Sequence, residues 1–135
     1  MGCDIHLYFE ERDSNGDWEQ IIIDERLIPN DRNYALFGFL AGITGCEFDP
    51  LFGGRGLPKE TSYLEDIDDD LGDYGYTYAY LDEIINAPWK ENSLEHCYFH
   101  LFCKEILPRI CGYYSWDDMK IEERRSIRVL IGFNG

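Results

Sequence analysis

The sequence predicts an α+β fold: a small, mainly antiparallel sheet, made of an N-terminal hairpin plus a C-terminal strand, backed by helices. Three observations lead there. The chain opens and closes on alternating apolar and polar residues, an Asn-Gly pair separates the first two such stretches, and the interior carries helix start and stop signals without repeats or linkers. At 135 residues one domain over 1–135 is expected, because two would each be short of core.

Cys3 to Glu10 alternates, with Cys3, Ile5, Leu7 and Phe9 on one face of a strand and Asp4, His6, Tyr8 and Glu10 on the other. Ser14-Asn15-Gly16-Asp17 supplies the positive φ angles of a tight turn, and Trp18 to Ile23 reads as the returning strand. Asn33 to Ala41 is a short buried helix with Asn30 or Asp31 as cap and Gly42 as stop. From Gly42 to Pro58 the chain is punctuated by glycine and proline and reads as an irregular loop. Thr61 or Ser62 caps an acidic segment from Tyr63 to Leu71, ended by Gly72.

Tyr74, Tyr76, Tyr78 and Tyr80 alternate strictly, which predicts a strand with all four rings on one side. Asp82 caps a helical turn running to Asn86. Ser93 is read as the cap of the longest helix, Leu94 to Leu107, closed by Pro108 and apolar over most of its circumference. Asp117 starts a further helical stretch reaching Arg125, and Ile127 to Phe133 is the last strand.

Hydrophobic residues make up 44% of the chain and aromatics 16%, a folding composition despite a formal charge of −15. That charge speaks against direct nucleic-acid binding through phosphates and against an anionic membrane surface. No apolar run reaches the roughly 18 residues that span a bilayer, and no signal-peptide pattern opens the chain. Residues 1–60 carry five basic and twelve acidic side chains, residues 61–95 one and ten, and residues 96–135 six and five. Cationic partners are therefore steered to the middle segment. Five cysteines, an odd number in a chain without a secretion signal, point to reduced thiols in a cytosol, and the lack of a Cys-x-x-Cys pair speaks against a structural zinc ribbon.

Several groupings could carry chemistry. Asp4 and His6 share the polar face of the first strand, where a carboxylate beside an imidazole can orient a base or bind an ion. Arg32-Asn33-Tyr34 precedes the first helix, and Arg55-Gly56 ends the glycine-rich loop; arginine forks and glycine amides suit carboxylates and phosphates. No standard nucleotide motif accompanies them. His96, His100 and Cys103 fall on one helical stripe, but that helix is apolar nearly all round, so buried side chains are expected and no metal is predicted. The tyrosines can stack a planar ligand. No nucleophile signature surrounds any serine or cysteine.

Four separated pieces, Met1-Gly-Cys-Asp-Ile-His6, Arg32-Asn-Tyr-x-Leu-Phe-x-x-Leu-Ala-Gly42, Arg55-Gly-Leu-Pro58 and Ile127-Arg-Val-Leu-Ile-Gly-Phe-Asn134, resemble an uncharacterised family of small bacteriophage proteins that begin Met-Gly-Cys-Asp-Ile-His. The likeness spans most of the chain and is weakest between residues 60 and 126. Where that family carries Asp-x-His-Ser, this chain reads Asp73-Tyr-Gly-Tyr-Thr-Tyr-Ala-Tyr80, without a histidine. The resemblance implies phage origin and action in the host cytoplasm, where small phage proteins often counter host defence.

The leading expectation is a non-catalytic, anti-defence protein that sequesters a small anionic, nucleotide-derived ligand and needs no cofactor. Its site would use Asp4, His6, Arg32, Asn33, Tyr34, Arg55, Gly56, Tyr76 and Tyr78, brought together in one hollow. One alternative is an acidic nucleic-acid mimic that blocks a basic host protein through residues 65–73 and 82–95. The other is a metal-dependent phosphodiesterase or hydrolase using Asp4, His6 and an acid such as Asp49. Homo-oligomerisation is left open.

Overall fold

The sheet joins strands from both ends and the middle of the chain. The computed structural model describes residues 3–42, 52–53, 55–63 and 71–134. Strands β1 (Asp4–Arg12), β2 (Trp18–Gln20), β3 (Tyr74–Tyr80) and β4 (Ile127–Asn134) form one antiparallel sheet in the order β2-β1-β4-β3. The α+β fold, with an N-terminal hairpin and a central C-terminal strand, is thus present. The returning strand is shorter than the predicted Trp18–Ile23, and residues 64–70 of the acidic segment Tyr63–Leu71 and most of the 42–58 loop, with Cys46, lie outside the described residues.

Alternation divides the sheet cleanly. Ile5, Leu7 and Phe9 face the same side as Ile127, Val129, Ile131 and Phe133, and helices cover that side. Helix α1 (Tyr34–Ala41) contributes Leu36, Phe37, Phe39 and Leu40, all buried; its cap is Asn33 rather than Asn30 or Asp31, and Gly42 ends it at φ +76°. Helix α2 (Leu81–Ile85) follows β3 directly, starting one residue ahead of the predicted Asp82 cap.

The C-terminal helices differ from expectation at both ends. Ser93 closes a short turn, Lys90–Asn92, in the left-handed region at φ +57° instead of starting a helix. Buried Trp89 explains this: its indole N–H donates to the Ile84 carbonyl and its own carbonyl accepts the Leu94 N–H, so the chain wraps around the ring. Helix α3 (Tyr98–Leu101) then passes through a π turn (Phe102–Ile106) into α4 (Leu107–Ile110). Pro108 sits inside this run; it has no N–H for the Lys104 carbonyl, and the widened turn, with Leu107 N–H donating to the Phe102 carbonyl, accommodates the gap. His96 therefore lies outside the helix and exposed, while His100 is buried and stacked on Trp89 at 4.6 Å. Near the end, buried Met119 interrupts the predicted 117–125 helix, leaving a turn (Trp116–Asp118) and a short α5 (Ile121–Arg124).

The tyrosine ladder is broken once. Gly75 takes φ +71° and the β3–β4 register slips between Tyr74 and Thr77. Tyr74 consequently pairs with Phe133 on the helix-covered side, whereas Tyr76 and Tyr78 pack on the other side around Tyr63, Leu71 and Leu130. The expectation of four rings on one side is corrected to three by this bulge.

That second side carries a buried ion pair. Glu10 and Arg128 are register partners on β1 and β4, with side chains 0% and 3% exposed and Arg128 Nε donating to Glu10 Oε1 at 2.8 Å. Glu10 Oε2 also accepts the Ser62 N–H, the Ser62 hydroxyl and the Thr61 hydroxyl, and Arg128 donates to the Glu60 carbonyl. The guanidinium lies 3.7 Å from the centre of the Trp18 ring. Removing one partner leaves the other charged and buried, so Arg128→Met is expected to cost about 3–5 kcal/mol in urea unfolding. Glu10→Leu combined with Arg128→Met should recover much of that loss; a double variant as unstable as the two single losses added would show that the pair is not coupled.

Candidate functional site

The residues predicted to converge occupy two ends of the sheet. Asp4 stands at the start of β1 beside the end of β4, and Arg32, just before α1, donates through Nε to Asp4 Oδ1 at 2.7 Å. The Arg32 guanidinium holds the Asp4 carboxyl below the usual carboxylate range, and both side chains remain about half exposed, at 54% and 47%. Asn33 Oδ1 accepts the Leu36 N–H at 3.1 Å as the cap of α1, and the Tyr34 hydroxyl accepts the Cys3 N–H. His6 Nε2 lies 2.7 Å from Asn134 Oδ1; an amide oxygen only accepts, so the imidazole proton sits on Nε2 and donates. Each group in this first cluster has a structural partner, and together they fasten the start of α1 to the sheet end.

Between the two ends, Leu71 covers the sheet face. Gly132 is the register partner of His6, and a Cβ on it would come within 1.9 Å of the Leu71 carbonyl oxygen, so only glycine lets the chain cross there. Tyr76 packs against this cover and its hydroxyl donates to the Gly72 carbonyl. Neither His6 nor Tyr76 lines the cleft that holds Arg55 and Tyr78. The far cluster sits level with Glu10, six residues further along β1 and so about 20 Å from Asp4.

That far cluster surrounds a cleft of about 720 Å³, lined by Arg12, Arg55, Tyr78, Tyr80, Asp82, Glu83, Glu122, Arg125 and Ser126. Local structure places each one. Arg55 and Gly56 run along the outer edge of β3: the Gly56 N–H donates to the Tyr76 carbonyl with Gly56 at φ +69°, and Arg55 Nη1 donates to the Tyr78 carbonyl at 3.0 Å. Arg55 also grips Glu83 through both terminal nitrogens, at 2.8 and 2.6 Å. Glu83 Oε1 additionally accepts the Tyr80 N–H at the start of α2. Arg125, at the end of α5, approaches Asp82 through Nε at 3.5 Å, and Asn86 Nδ2 donates to the same carboxylate. Arg12 ends β1; its guanidinium lies 4.7 Å from the centre of the Trp18 ring and makes no ion pair among the described residues. Tyr78 and Tyr80 meet edge to face at 6.1 Å, and Trp18 stands 6.1 Å from Tyr80.

Of the sequence-predicted residues, Arg55 and Tyr78 line the cleft, Gly56 supports it from the β3 edge, and Asp4, His6, Arg32, Asn33, Tyr34 and Tyr76 lie elsewhere. Sequence reading missed Arg12, Tyr80, Asp82, Glu83, Glu122, Arg125 and Ser126 as site residues. A signal existed for two: extending the β1 alternation two residues adds Arg12 to the polar face, and Tyr80 continues the tyrosine alternation. The rest depend on long-range placement of α2 and α5. Among the described residues no group of three or more His, Cys, Asp or Glu side chains could hold a metal ion, so the hydrolase reading finds no ligand set there; Asp49 lies outside them.

Arg55 holds the Glu83 carboxyl below its ordinary value of 4.5, chiefly through the hydrogen bonds. A folded-state value below the unfolded one contributes stability above pH 4.5 that is lost as the pH falls through the folded value. Glu83→Gln should therefore lower stability by about 1 kcal/mol at neutral pH, the pair being part-exposed and screened. The gap from the parent protein should close as the pH drops below 4.5. Thermal unfolding across pH reads this out; a gap that stays constant in acid would refute the linkage.

No family model, curated protein or solved structure matches this chain, so its chemistry is read from its own residues.

Proposed function

We propose that the protein binds a small anionic, nucleotide-derived ligand in the Arg12–Arg55–Arg125 cleft and sequesters it without chemical change. The observation that carries this reading is the meeting of three guanidiniums and two tyrosine rings in one cleft of about 720 Å³, a size that suits a nucleotide. Arg12 and the terminal nitrogens of Arg125 supply donors for an anion, and the Tyr78 and Tyr80 rings supply faces or edges for a base; stacking on an aromatic side chain contributes about 1–3 kcal/mol per base. Binding without turnover is favoured by two of the three lining carboxylates: Asp82 and Glu83 already hold arginines and are poorly placed to act as bases. The same pairing weakens the acidic-mimic reading, because two acids of its 82–95 surface face inward. With the phage-family resemblance of the sequence, the ligand would be a signal of the infected host cell, and its removal would oppose defence. No helix among the described residues is long and apolar enough to cross a membrane, which is compatible with a ligand met in solution.

Thermal shift and isothermal titration with linear and cyclic nucleotides test the reading. At least one nucleotide should raise the melting temperature. Arg12→Ala should weaken that binding about tenfold or more, in line with loss of a charge-assisted hydrogen bond. Arg32→Ala, at the opposite sheet end, should leave it unchanged. Absence of any stabilising nucleotide, or dependence on Arg32 with indifference to Arg12, would end the proposal.

A further inference from the structure

The charges lining the cleft bear on which anion it takes, an inference that rests on the binding reading above. Three arginines face three carboxylates there, Asp82, Glu83 and Glu122, so the lining is neutral in sum. The arginines differ in what they can still offer. Arg55 places both terminal nitrogens on Glu83 and one of them also on the Tyr78 carbonyl, so most of its donors are engaged. Arg125 comes nearest Asp82 through Nε, at 3.5 Å, and its two terminal amino groups make no hydrogen bond among the described residues, which leaves them for a ligand. Arg12 makes no ion pair among the described residues and is steadied only by the Trp18 ring.

The carboxylates differ in the same way. Asp82 is fixed: its side chain is 16% exposed and takes one hydrogen bond from Asn86 Nδ2 besides its pairing with Arg125. Glu122 is exposed, and its carboxylate makes no hydrogen bond or ion pair among the described residues, although its backbone carbonyl accepts from the Ser126 hydroxyl.

We propose that the cleft selects a ligand with a single charged phosphate, a nucleoside monophosphate or a phosphodiester, over a nucleoside triphosphate, with Asp82 and Glu122 as the residues that set this limit. Two available guanidiniums match one phosphate. A triphosphate would bring further negative charges against a carboxylate that cannot turn away, and like charges in a partly desolvated cleft repel far more strongly than in water. Glu122 adds a positive criterion: a carboxylate only accepts hydrogen bonds, so it suits a ligand with an N–H or hydroxyl to donate, such as a purine amino group or a ribose diol.

Isothermal titration with GMP, 3′,5′-cyclic GMP and GTP, all without divalent cations, decides the matter. The monophosphate or the cyclic ester should bind at least tenfold more tightly than GTP. Asp82→Asn should narrow that ratio severalfold by relaxing the repulsion. Glu122→Gln, an exposed and nearly isosteric change that keeps the fold, should narrow it too and independently weaken the monophosphate. Preference of the parent protein for GTP, or a ratio unmoved in both variants, would overturn the proposed selectivity while leaving nucleotide binding intact. Failure of all three ligands, alongside failure of the wider panel, would remove the binding reading and this inference with it.

Discussion

The buried Glu10–Arg128 pair is the constraint around which the second face of the sheet is organised. Charges so far from water are stable only when their lone pairs and protons have partners, and these two meet that demand only with help from residues 60–62. Glu10 collects bonds from Arg128, Thr61 and Ser62, and Arg128 reaches the Glu60 carbonyl, so a loop with no regular structure is pinned across β1 and β4. A one-residue slip of β1 against β4 would turn Glu10 into the helix-covered core and leave Arg128 buried without its partner, so the pair selects one register. It also fixes Trp18, since Arg128 lies against one ring that Arg12 and Tyr80 share. The cleft inherits its shape from that arrangement.

The two clusters differ in what their side chains have left over. At the start of β1 the polar groups are consumed in joining elements: Asp4 to Arg32, Asn33 to the α1 backbone, His6 to Asn134. These same residues sit in the segments that carry the family resemblance. A motif at a sheet end can reflect the need to fasten a helix there as readily as the need to bind something. At the end of β1, Arg12, Glu122 and part of Arg125 remain uncommitted among the described residues, beside the half-buried rings of Tyr78 and Tyr80 that line the cleft. Uncommitted polar groups beside open aromatic surface are the better mark of a binding site.

How much of this was legible follows from the range of each interaction. Alternation is local, so β1, the last strand and the Asn15-Gly16 turn could be read directly, and the helix-covered face followed from them. Strand register is not local: nothing near Glu10 announces that residue 128 lies opposite. The break in the tyrosine ladder comes from Gly75 entering the left-handed region, which alternating identities conceal. Ser93 carries the composition of a helix cap, yet Trp89 dictates its conformation from four residues upstream through bonds to Ile84 and Leu94. Pro108 marked a helix end by local rules and instead lies within a run that a π turn keeps continuous. The cleft was the hardest to foresee, because β1, β3, α2, α5 and the Arg55 loop each bring one or two residues from distant positions.

A charge of −15 works against the proposed binding of an anion, and the lining of the cleft answers that difficulty locally. Charges on the far surface are screened beyond about 8–10 Å at ordinary ionic strength, so they slow an anion's approach without governing its affinity once bound. Affinity depends on the groups within reach. There, Glu83 is gripped by Arg55 at 2.6 Å and its charge is largely answered, while Asp82, only 3.5 Å from Arg125, is held in place and still repels a second negative group. The same carboxylates hold the guanidiniums in place, so less side-chain entropy is lost when a ligand arrives. Acids inside the proposed anion site are thus no contradiction. Paired, they orient the arginines, and Arg12, without an ion pair among the described residues, is left with the terminal amino groups of Arg125 to meet a single phosphate.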